Sequence, residues 1–489
     1  MGNILELKPF CSHKHNTVEK TQGNYKILEI SRESIQEILS KSSVIQDRLS
    51  SIGIRERLEI IGEIGEIWRE KLNNGELEEL KKILVETTGY GEKLIEMEFS
   101  LIPLVLSKEN IGKNLEYSSA RNIDAFERFV EVEDGESFRI LPAGPVFIIS
   151  SGNSLIPPFI PSTISLATGN ITVIKPSLSN YLGVVEVYRA LSKIAAHLEE
   201  AKLMMDALIV SYFTHDSVSL KYLLDEAEIG VINFWGGEPA RSSVTRLISE
   251  NLHHPKIVIN GPLTGCALID EKSADDKTAE GLAKNIVLYD QQLCSSPTSA
   301  VFIGSWQNAI SFVQKVEKFL EKIGSEFEST IDDTSVFLTQ SVRRVFQLKG
   351  SQVFSSKNLK NFWTIAVSRG KSFLSEVAQS FPAFNIYTRR RFLEVVVVDS
   401  VEEALEHIKN IPSSYAFKGV DGVQTVGYAL SNDEKENLLE KLASLGVYRI
   451  VPLSDMFMRS AVEPYDGVIL LSAFTKIVYL RDRELALKQ

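Results

Sequence analysis

The stretch that decides the fold is Pro145-Val-Phe-Ile-Ile149, which runs directly into Ser150-Ser-Gly-Asn-Ser154. Its first half is a continuous apolar run, as is typical of a strand that is buried on both faces of a parallel sheet. Its second half is small and polar, and a helix-like segment that opens with prolines follows over 155–167. A buried strand, a polar loop and a helix make a βα unit, and such units build a sheet covered by helices.

The same alternation continues on the C-terminal side. Further apolar strands are predicted over 171–174, 207–211 and 230–234, and helices over 180–198, 215–226 and 238–251. Ligands of parallel sheets bind at the carboxyl ends of the strands. Three loops therefore share one rim of the predicted sheet, namely 150–154, 175–177 and 235–238.

A second α/β unit is predicted from residue 256 onward. Its strands are expected over 256–260, 266–269, 298–303, 394–398 and 423–430. Its helices are expected to include one that ends at 323 and others over 402–410 and 434–445. Residues 325–380 show no clear pattern, and a last apolar strand is predicted over 476–480.

The N-terminal part of the chain has a different character. Residues 1–25 are polar and are expected to be loose, as chain ends commonly are. Over 35–106, apolar residues recur at helical spacing between acidic ones, which predicts a layer of helices. The segment Phe129-Val-Glu-Val-Glu-Asp-Gly135 is typical of a hairpin. A protruding hairpin commonly joins copies of a chain, so a homo-oligomer is expected.

The composition is that of an ordinary soluble protein. The chain has 489 residues, of which 44% are hydrophobic and 24% charged, and its formal net charge is −11. This length predicts two or three domains, and the charge argues against a surface for nucleic acids or anionic membranes. No signal peptide or membrane span is predicted. The widely spaced Cys11, Cys266 and Cys294 predict a reducing cytoplasm, and Cys11 with His13 and His15 is too small a cluster to predict a metal site.

Cys294 lies in the run Tyr289-Asp-Gln-Gln-Leu-Cys-Ser-Ser-Pro297, between a helical segment over 281–288 and the apolar strand over 298–303. A cysteine on such a turn can receive backbone N–H groups, which lower the pKa of a thiol and supply donors for an oxyanion. The alternative is a small buried hydrophobic side chain, which is what most cysteines outside disulfides are. The run alone leaves both interpretations open.

Four motifs, in this order along the chain, favour the catalytic interpretation of Cys294. They are Pro142-Ala-Gly-Pro-Val-Phe-Ile-Ile-Ser-Ser-Gly-Asn153, Val173-Ile-Lys-Pro-Ser177, Phe234-Trp-Gly-Gly237 and the run from Tyr289 to Cys294. Together they resemble the aldehyde dehydrogenase superfamily and, within it, the long-chain acyl-CoA reductases of the LuxC type known from bacterial luminescence. The run Tyr-Asp-Gln-Gln-x-Cys is the most specific match, and the resemblance covers roughly residues 140–480.

The resemblance implies an α/β fold of the aldehyde dehydrogenase type, with two Rossmann-type domains, N-terminal helices and a small β arm. The expected divisions are an N-terminal helical layer over 1–120, a β arm or bridging segment over 121–143, a cofactor-binding domain over 144–258, a catalytic domain over 259–445 that carries Cys294, and a tail over 446–489 that returns to the cofactor-binding and bridging region.

The resemblance also assigns roles to residues. Cys294 matches the nucleophile, and Asn153 matches the amide that forms the oxyanion hole together with the Cys294 backbone N–H. Lys175 matches the lysine that contacts the adenosine ribose of the cofactor. Gly236 and Gly237 open a helix whose N–H groups can receive the pyrophosphate. The other expected cofactor contacts are Ser150, Ser151 and Ser177.

Each role has a plain alternative. An asparagine after a strand is commonly a turn residue, a lysine at a strand end is commonly solvated, and a glycine pair is commonly an ordinary turn. The four motifs favour catalysis because catalytic residues act as a unit.

Three departures from the family pattern are informative. Asn260 stands at or near the place of the glutamate that activates water in acid-forming relatives, and an amide cannot take a proton from water at neutral pH. Leu178 replaces the carboxylate that binds the ribose 2′-hydroxyl in NAD-preferring relatives, which favours NADPH. One of the arginines Arg389, Arg390 and Arg391 is a candidate phosphate contact, with a solvated basic cluster as the alternative.

The resemblance therefore implies NADPH-dependent reduction of a long-chain fatty acyl-CoA to a fatty aldehyde. The acyl group would pass through a thioester on Cys294, with coenzyme A as leaving group, and an acyl-protein synthetase subunit is a possible partner. Two other functions stay open. An aldehyde dehydrogenase that forms acid would be favoured by a carboxylate near Cys294, and a non-catalytic scaffold subunit would be favoured by failure to bind a nicotinamide cofactor.

Overall fold

The computed structural model describes residues 4–119, 122–431 and 435–482. The strands are β1 (Leu5–Leu7), β2 (Thr17–Gln22), β3 (Tyr25–Ile30), β4 (Val130–Glu133), β5 (Glu136–Pro142), β6 (Val146–Ile149), β7 (Thr172–Lys175), β8 (Leu208–Val210), β9 (Val231–Trp235), β10 (Lys256–Asn260), β11 (Leu263–Asp270), β12 (Pro297–Ile303), β13 (Gln352–Ser355), β14 (Thr364–Arg369), β15 (Phe392–Val398), β16 (Gly422–Ala429), β17 (Arg449–Pro452) and β18 (Thr475–Arg481). The helices are α1 (Arg32–Ser40), α2 (Ser42–Ser50), α3 (Ile54–Asn73), α4 (Glu78–Thr88), α5 (Glu92–Val105), α6 (Lys108–Ser118), α7 (Phe159–Ala167), α8 (Tyr181–Ala195), α9 (Glu199–Asp206), α10 (Val218–Asp225), α11 (Ala240–Ser249), α12 (Asp276–Val287), α13 (Trp306–Glu326), α14 (Asp333–Leu348), α15 (Leu374–Ser380), α16 (Val401–Asn410), α17 (Lys435–Ser444) and α18 (Leu470–Phe474).

The chain divides into two compact units. Unit one comprises 1–88, 96–260 and 460–489, and unit two comprises 89–95 and 261–459. Each unit has its own mainly parallel sheet with helices, as the alternation of apolar strands and amphipathic helices predicts. The bounds of the tail differ from the expected 446–489, because β17 pairs with β16 and so belongs to unit two.

The main sheet of unit one has the strand order β10-β9-β6-β7-β8, and all its neighbours are parallel. β6 is central, and its four residues are buried because strands flank it on both sides and its apolar side chains face helices. β10 was expected to open the second unit, and that prediction was wrong. It is a half-exposed edge strand that pairs with β9. The prediction failed because the local sequence pattern does not determine which strands are neighbours in a sheet.

Residues 4–25 are ordered, so the expectation of a loose segment over 1–25 was wrong for this described part. β1, β3 and β2 form a three-stranded sheet, in which β3 is mostly buried. Phe10 and Val210 also exchange backbone hydrogen bonds of 2.9 Å, which cover the edge of β8. Long-range pairing of this kind has no local signal in a polar segment.

The predicted hairpin is present as β4 and β5, and the last strand of the chain completes it. β18 pairs antiparallel with β5 from Thr475 opposite Pro142 to Arg481 opposite Glu136. The sheet order is β18-β5-β4. The last described strand of the chain thus pairs with the β arm.

The sheet of unit two has the order β13-β14-β15-β12-β11-β16-β17, and only the pair of β13 with β14 is antiparallel among these strands. The region 325–380, which had no clear pattern, contains α14, β13, β14 and α15. Cys294 lies on the connection between α12 and β12, as predicted. Within the described ranges, no helix is both long enough and apolar enough to cross a membrane.

Candidate active site

The connection that carries Cys294 has an unusual backbone. A 3₁₀ turn over Leu288–Gln291 follows α12. Three consecutive residues, Tyr289, Asp290 and Gln291, have positive φ angles of 55°, 50° and 61°. Each residue other than glycine in this region costs on the order of 1–3 kcal/mol and persists only where its surroundings enforce it. The surroundings of this turn must therefore hold it firmly.

A buried ion pair supplies that hold. Arg391 Nε donates to Asp290 Oδ1 at 2.7 Å, and the two side chains are 4% and 2% exposed. The other nitrogens of the guanidinium donate to Asn361 Oδ1 at 2.8 Å and to the Phe327 carbonyl at 2.6 Å. Ser329 Oγ donates to the second oxygen of Asp290 at 2.7 Å. The carboxylate and the guanidinium are thus both satisfied, as burial of an ion pair requires.

Two adjacent glutamines at the end of the turn fix it to its surroundings. Gln291 Nε2 donates to the Pro297 carbonyl at 2.8 Å, and Gln292 Nε2 donates to the Arg389 carbonyl at 3.1 Å. Cys294 follows both glutamines, lies three residues before Pro297 and is half-buried. The turn therefore presents the Cys294 thiol from a backbone that side chains lock in place.

The other two cysteines are poor nucleophiles. Burial raises the pKa of Cys266 to about 12 and that of Cys11 to about 11. Thiols with such pKa values are protonated at neutral pH, and the thiolate is the reactive form. Cys294 is therefore the candidate nucleophile of the chain.

The loop after β6 is held by buried polar contacts. Ser151 Oγ donates to Asn153 Oδ1 at 2.9 Å, which identifies the oxygen end of this amide and leaves the nitrogen end as a donor elsewhere. Asn180 Nδ2 donates to the carbonyls of Ser151 and Ser154, at 3.1 and 2.8 Å. The buried Glu98 carboxylate accepts from the Ser154 hydroxyl and from the Leu155 N–H. These contacts fix the direction of the Asn153 side chain.

Lys175 ends β7 beside this loop. Its carbonyl accepts from the Ser150 N–H at 3.0 Å, and its ammonium lies over the Tyr212 ring, 4.8 Å from the ring centre. Burial lowers the pKa of Lys175 to about 8, and the negative charge of Glu29 opposes that decrease. This half-buried ammonium is unlike the solvated lysine of the plain alternative.

The glycine turn after β9 is less open than the sequence suggests. The Gly236 N–H donates to the Asn260 carbonyl at 3.1 Å. The Glu238 carboxylate accepts from the Ser242 N–H at 3.1 Å and from the Arg241 Nε at 2.8 Å, so it caps the start of α11. A phosphate at this helix end would meet the Glu238 carboxylate, which sequence reasoning missed.

Asn260 ends β10 within a network of amides. Its Oδ1 accepts from Asn233 Nδ2 at 2.8 Å, and its Nδ2 donates to Asp466 Oδ2 at 3.1 Å. Trp235 Nε1 donates to Asn233 Oδ1 at 2.6 Å, and the Trp235 ring packs on Tyr465. The tail thus brings the Asp466 carboxylate to Asn260, which the spacing along the chain did not predict.

The three consecutive arginines have different surroundings. Arg391 is the partner of Asp290, and Arg389 is buried over the Phe417 ring at 4.9 Å with its Nε unsatisfied. Arg390 is 48% exposed. The hypothesis of a solvated basic cluster was therefore wrong for Arg389 and Arg391, which lie in the interior of unit two.

The predicted residues of unit one meet at one rim, where Ser150, Ser151, Asn153, Lys175 and Ser177 follow the adjacent strands β6 and β7. The ammonium and hydroxyl groups of this rim have the chemistry that a ribose requires. Gly152 allows the close packing, because a Cβ there would overlap the Ser177 hydroxyl. The groups of this rim match the ribose end of a dinucleotide. The glycine turn matches its phosphates only if the Glu238 carboxylate moves away from the start of α11.

Known proteins agree with this architecture. The model of the family described as acyl-CoA reductase (LuxC) matches residues 49–477. A long-chain acyl-protein thioester reductase from Aliivibrio fischeri is 22% identical over 376 residues, which are 75% of this chain and 73% of the relative. The reductase of the same description from Vibrio harveyi is 21% identical over 335 residues, 66% of each chain.

Solved structures show the fold. An aldehyde dehydrogenase from Physcomitrella patens, in complex with succinate, has a TM-score of 0.72 at 13% identity and covers 98% of this chain and 99% of its own. Methylmalonate-semialdehyde dehydrogenase from Oceanimonas doudoroffii has a TM-score of 0.72 at 14% identity and covers 99% of both chains. The predicted α/β fold of the aldehyde dehydrogenase type is confirmed, and the chain belongs to the acyl-CoA reductase (LuxC) family.

Proposed function

We propose that this protein reduces a long-chain fatty acyl-CoA to a fatty aldehyde with NADPH, through an acyl-enzyme on Cys294. The observation that carries the proposal is the locked turn before Cys294. Three strained residues and a buried ion pair cost free energy that an ordinary loop does not need. Backbone strain of this kind concentrates at functional sites. Membership of a reductase family supports the same reaction class.

The first step is attack of the Cys294 thiolate on the thioester carbonyl. The oxyanion accepts a hydrogen bond from the Cys294 backbone N–H. The family resemblance assigns the second hydrogen-bond donor to the Asn153 amide. Coenzyme A leaves as a thiolate, and the acyl group stays on the cysteine sulfur. When bound, the nicotinamide dinucleotide supplies a hydride for the acyl carbon. Collapse of the resulting hemithioacetal then releases the aldehyde and restores the thiolate, a sequence that predicts ping-pong kinetics.

The acyl-enzyme must survive until it is reduced. Asn260 is an amide, and its nitrogen is turned toward Asp466 as a donor. It therefore cannot take a proton from water, which supports reduction over hydrolysis. Lys175, Ser150, Ser151 and Ser177 are the proposed ribose contacts, and Gly236 and Gly237 are the proposed phosphate contacts. The lack of a carboxylate at Leu178 supports NADPH.

The acyl donor has two possible forms. The curated relatives are described as acyl-protein thioester reductases, so an acyl-protein synthetase subunit is the partner that we propose for delivery of the acyl group. Both donors present the same thioester carbonyl to Cys294. Acyl-CoA is the simpler donor, and the covalent step can be tested with it directly.

A homo-oligomer is part of the proposal, and β18 supports it. Ile477, Tyr479 and Leu480 are 68%, 48% and 46% exposed on this strand. In the part of the chain that is described, β18 pairs on one side only, with β5. An exposed apolar strand edge is a template for pairing, and a second copy of the chain is the occupant we expect. The mass of the protein in solution tests this.

A second candidate function is oxidation of an aldehyde to an acid. Asp466 favours it, because the hydrogen bond from Asn260 brings a carboxylate beside the residue that stands at or near the place of the base in acid-forming relatives. The two candidates differ in the fate of the acyl-enzyme, which water would remove in the second.

The deciding experiment is mass spectrometry of the intact protein after it is mixed with palmitoyl-CoA, first alone and then with NADPH. We expect an acyl adduct on Cys294 that is stable alone and is lost as aldehyde with NADPH. Cys294→Ser should give no thioester adduct, and Asn153→Ala should form the adduct on the order of a hundredfold more slowly. Loss of the adduct as free acid without cofactor would favour the oxidising enzyme. No adduct at all would refute the covalent mechanism and leave the scaffold subunit.

A further inference from the structure

Glu29 is a buried carboxylate that the N-terminal sheet brings to the rim of unit one. It lies near the end of β3 and is 2% exposed. Its Oε1 accepts a hydrogen bond from the Thr214 N–H, in the loop after β8. β8 is the neighbour of β7, which ends at Lys175. Glu29 therefore lies at the carboxyl-end side of β8, next to the strand that ends at Lys175.

The charge of Glu29 acts on that site. Its carboxylate raises the pKa of Lys175 against the larger lowering by burial. Burial, and after it the same carboxylate, raises the pKa of Tyr212, the ring on which the Lys175 ammonium rests. The lysine, the ring and the carboxylate thus form one electrostatic group in which a cation and an anion face the same rim.

The hydrogen bond from Thr214 does not by itself call for a carboxylate. An amide oxygen would accept from the same N–H, and a buried negative charge costs free energy unless other groups satisfy it. The distinctive property of Glu29 is therefore its charge, together with a second oxygen that can accept hydrogen bonds. Hydroxyl groups of a bound molecule are suitable donors, and a phosphate group is not.

We propose that Glu29 determines how this chain discriminates between NADH and NADPH. Its carboxylate accepts a hydrogen bond from a hydroxyl of the adenosine ribose of NADH. The same carboxylate repels the 2′-phosphate of NADPH, which carries a charge of about −1.5 to −2 at neutral pH. The proposal rests on the proposed function, in which Lys175 binds the same ribose. Because Leu178 leaves the local position without a carboxylate, Glu29 supplies one from a distant part of the chain, and NADH remains usable beside NADPH.

The test compares Glu29→Gln with the wild-type protein. Glutamine keeps the size of the side chain and the acceptor for Thr214, and it removes the charge. Titration calorimetry would give the dissociation constants of ADP-ribose and of 2′-phospho-ADP-ribose, and kinetics would give kcat/KM for NADH and NADPH. We expect the preference for the 2′-phosphorylated ligand to rise on the order of tenfold, the effect of one charged hydrogen-bond partner.

Glu19→Gln is the matched control. Glu19 lies on β2 of the same small sheet, and it pairs with Lys26 at the surface with 60% of its side chain exposed. Its loss should leave the ratio unchanged. If Glu29→Gln fails to fold, Glu29→Asp keeps the charge but withdraws the oxygens, and ADP-ribose should then bind more weakly with no gain for its 2′-phosphate.

The outcomes separate this proposal from the proposed function. Binding of both ligands with an unchanged ratio in Glu29→Gln would overturn the role of Glu29 and leave the reductase intact. A changed ratio in a protein that forms no acyl adduct would keep Glu29 as the selecting residue and refute the reductase. Binding of neither ligand to any variant, including the wild-type protein, would overturn both.

Discussion

The carboxylate of Asp290 and the guanidinium of Arg391 meet at 2.7 Å in the interior of unit two, just ahead of Cys294 in the chain. Arg391 itself has a positive φ of 47°, so both ends of the pair belong to strained backbone. An ion pair so deeply buried is weak evidence for stability, because desolvation offsets much of its attraction. Its geometric effect is clearer: it joins the turn before Cys294 to the residue just before β15 and fixes the position of both.

Arg391→Met should destabilise the fold and slow acylation. The variant leaves the Asp290 carboxylate buried without its main partner, and loss of one partner of a buried pair costs about 3–5 kcal/mol. Urea denaturation measures the change in the free energy of unfolding. Intact mass spectrometry at low temperature measures the rate of Cys294 acylation in the fraction that remains folded. Arg390→Met is the comparison, because the Arg390 guanidinium lies 3.9 Å from the same Asp290 carboxylate but is 48% exposed, so that its loss should change both quantities much less.

The double variant Asp290→Asn with Arg391→Met separates stability from positioning. It removes the uncompensated charge and should regain part of the lost stability. Acylation should stay slow, because the asparagine no longer ties the turn to the start of β15. Acylation at the wild-type rate in the double variant would contradict a positioning role for the pair.

Binding of ADP-ribose should weaken as the pH rises through about 8. Burial lowers the pKa of Lys175 to about 8, so its ammonium loses the proton just above neutrality. The charged groups that face it are Glu29 and, once ionised, Tyr212. Lys175→Arg keeps the charge throughout this range and should remove the pH dependence. Calorimetry of both proteins over a pH series measures it, and an equal loss of affinity in the arginine variant would contradict this assignment.

The lowered pKa of Lys175 also affects the stability of the fold, in the direction opposite to its effect on ligand affinity. The unfolded chain binds the Lys175 proton up to the usual pKa of 10.5, whereas the folded protein releases it near 8. Between these values the unfolded chain holds more protons, so the Lys175 contribution to stability improves as the pH rises. Ligand affinity and this contribution therefore move in opposite directions.

Acid should destabilise unit two through His407. Its Nε2 lies 2.9 Å from Ser299 Oγ, and burial lowers its pKa from 6.5 to about 4. Between these values the unfolded chain binds more protons, so stability is complete above 6.5 and falls as the pH drops toward 4, by at most about 3 kcal/mol. His407→Gln should flatten this part of the pH profile in urea denaturation. His253→Gln, at an exposed histidine, should leave it unchanged.

The parts of the fold that the sequence predicts are those with a strong local period. Val146–Ile149 is apolar throughout, and a polar loop and a helix follow it, so both the strand and the rim after it could be located. Cys294 could be located because the turn around it joins a helix to an apolar strand. The local sequence pattern also predicts the hairpin of β4 and β5.

The parts that were missed depend on contacts between distant residues. Glu29 meets Thr214 across 185 positions, and Arg391 meets Asp290 across 101. Asp466 reaches Asn260 across 206. A single glutamate on a short strand has no periodic signal, and three arginines in a row give no sign of which are buried. The buried network around the site is therefore a property of the tertiary structure.

Glu238→Gln should tighten the binding of NADPH. The Ser242 hydroxyl and then Arg241 lower the pKa of Glu238, so the carboxylate is ionised when a phosphate approaches the start of α11. A charge at a helix end changes affinity by about two- to fivefold, and the gain should shrink at high ionic strength because salt screens exposed charges. Glu250→Gln, at the other end of the helix, is the control and should have no effect. Calorimetry at two salt concentrations gives the comparison. Weaker binding in Glu238→Gln would mean that Glu238 holds the ligand instead of repelling it, because the amide keeps the shape of the carboxylate and loses only its charge.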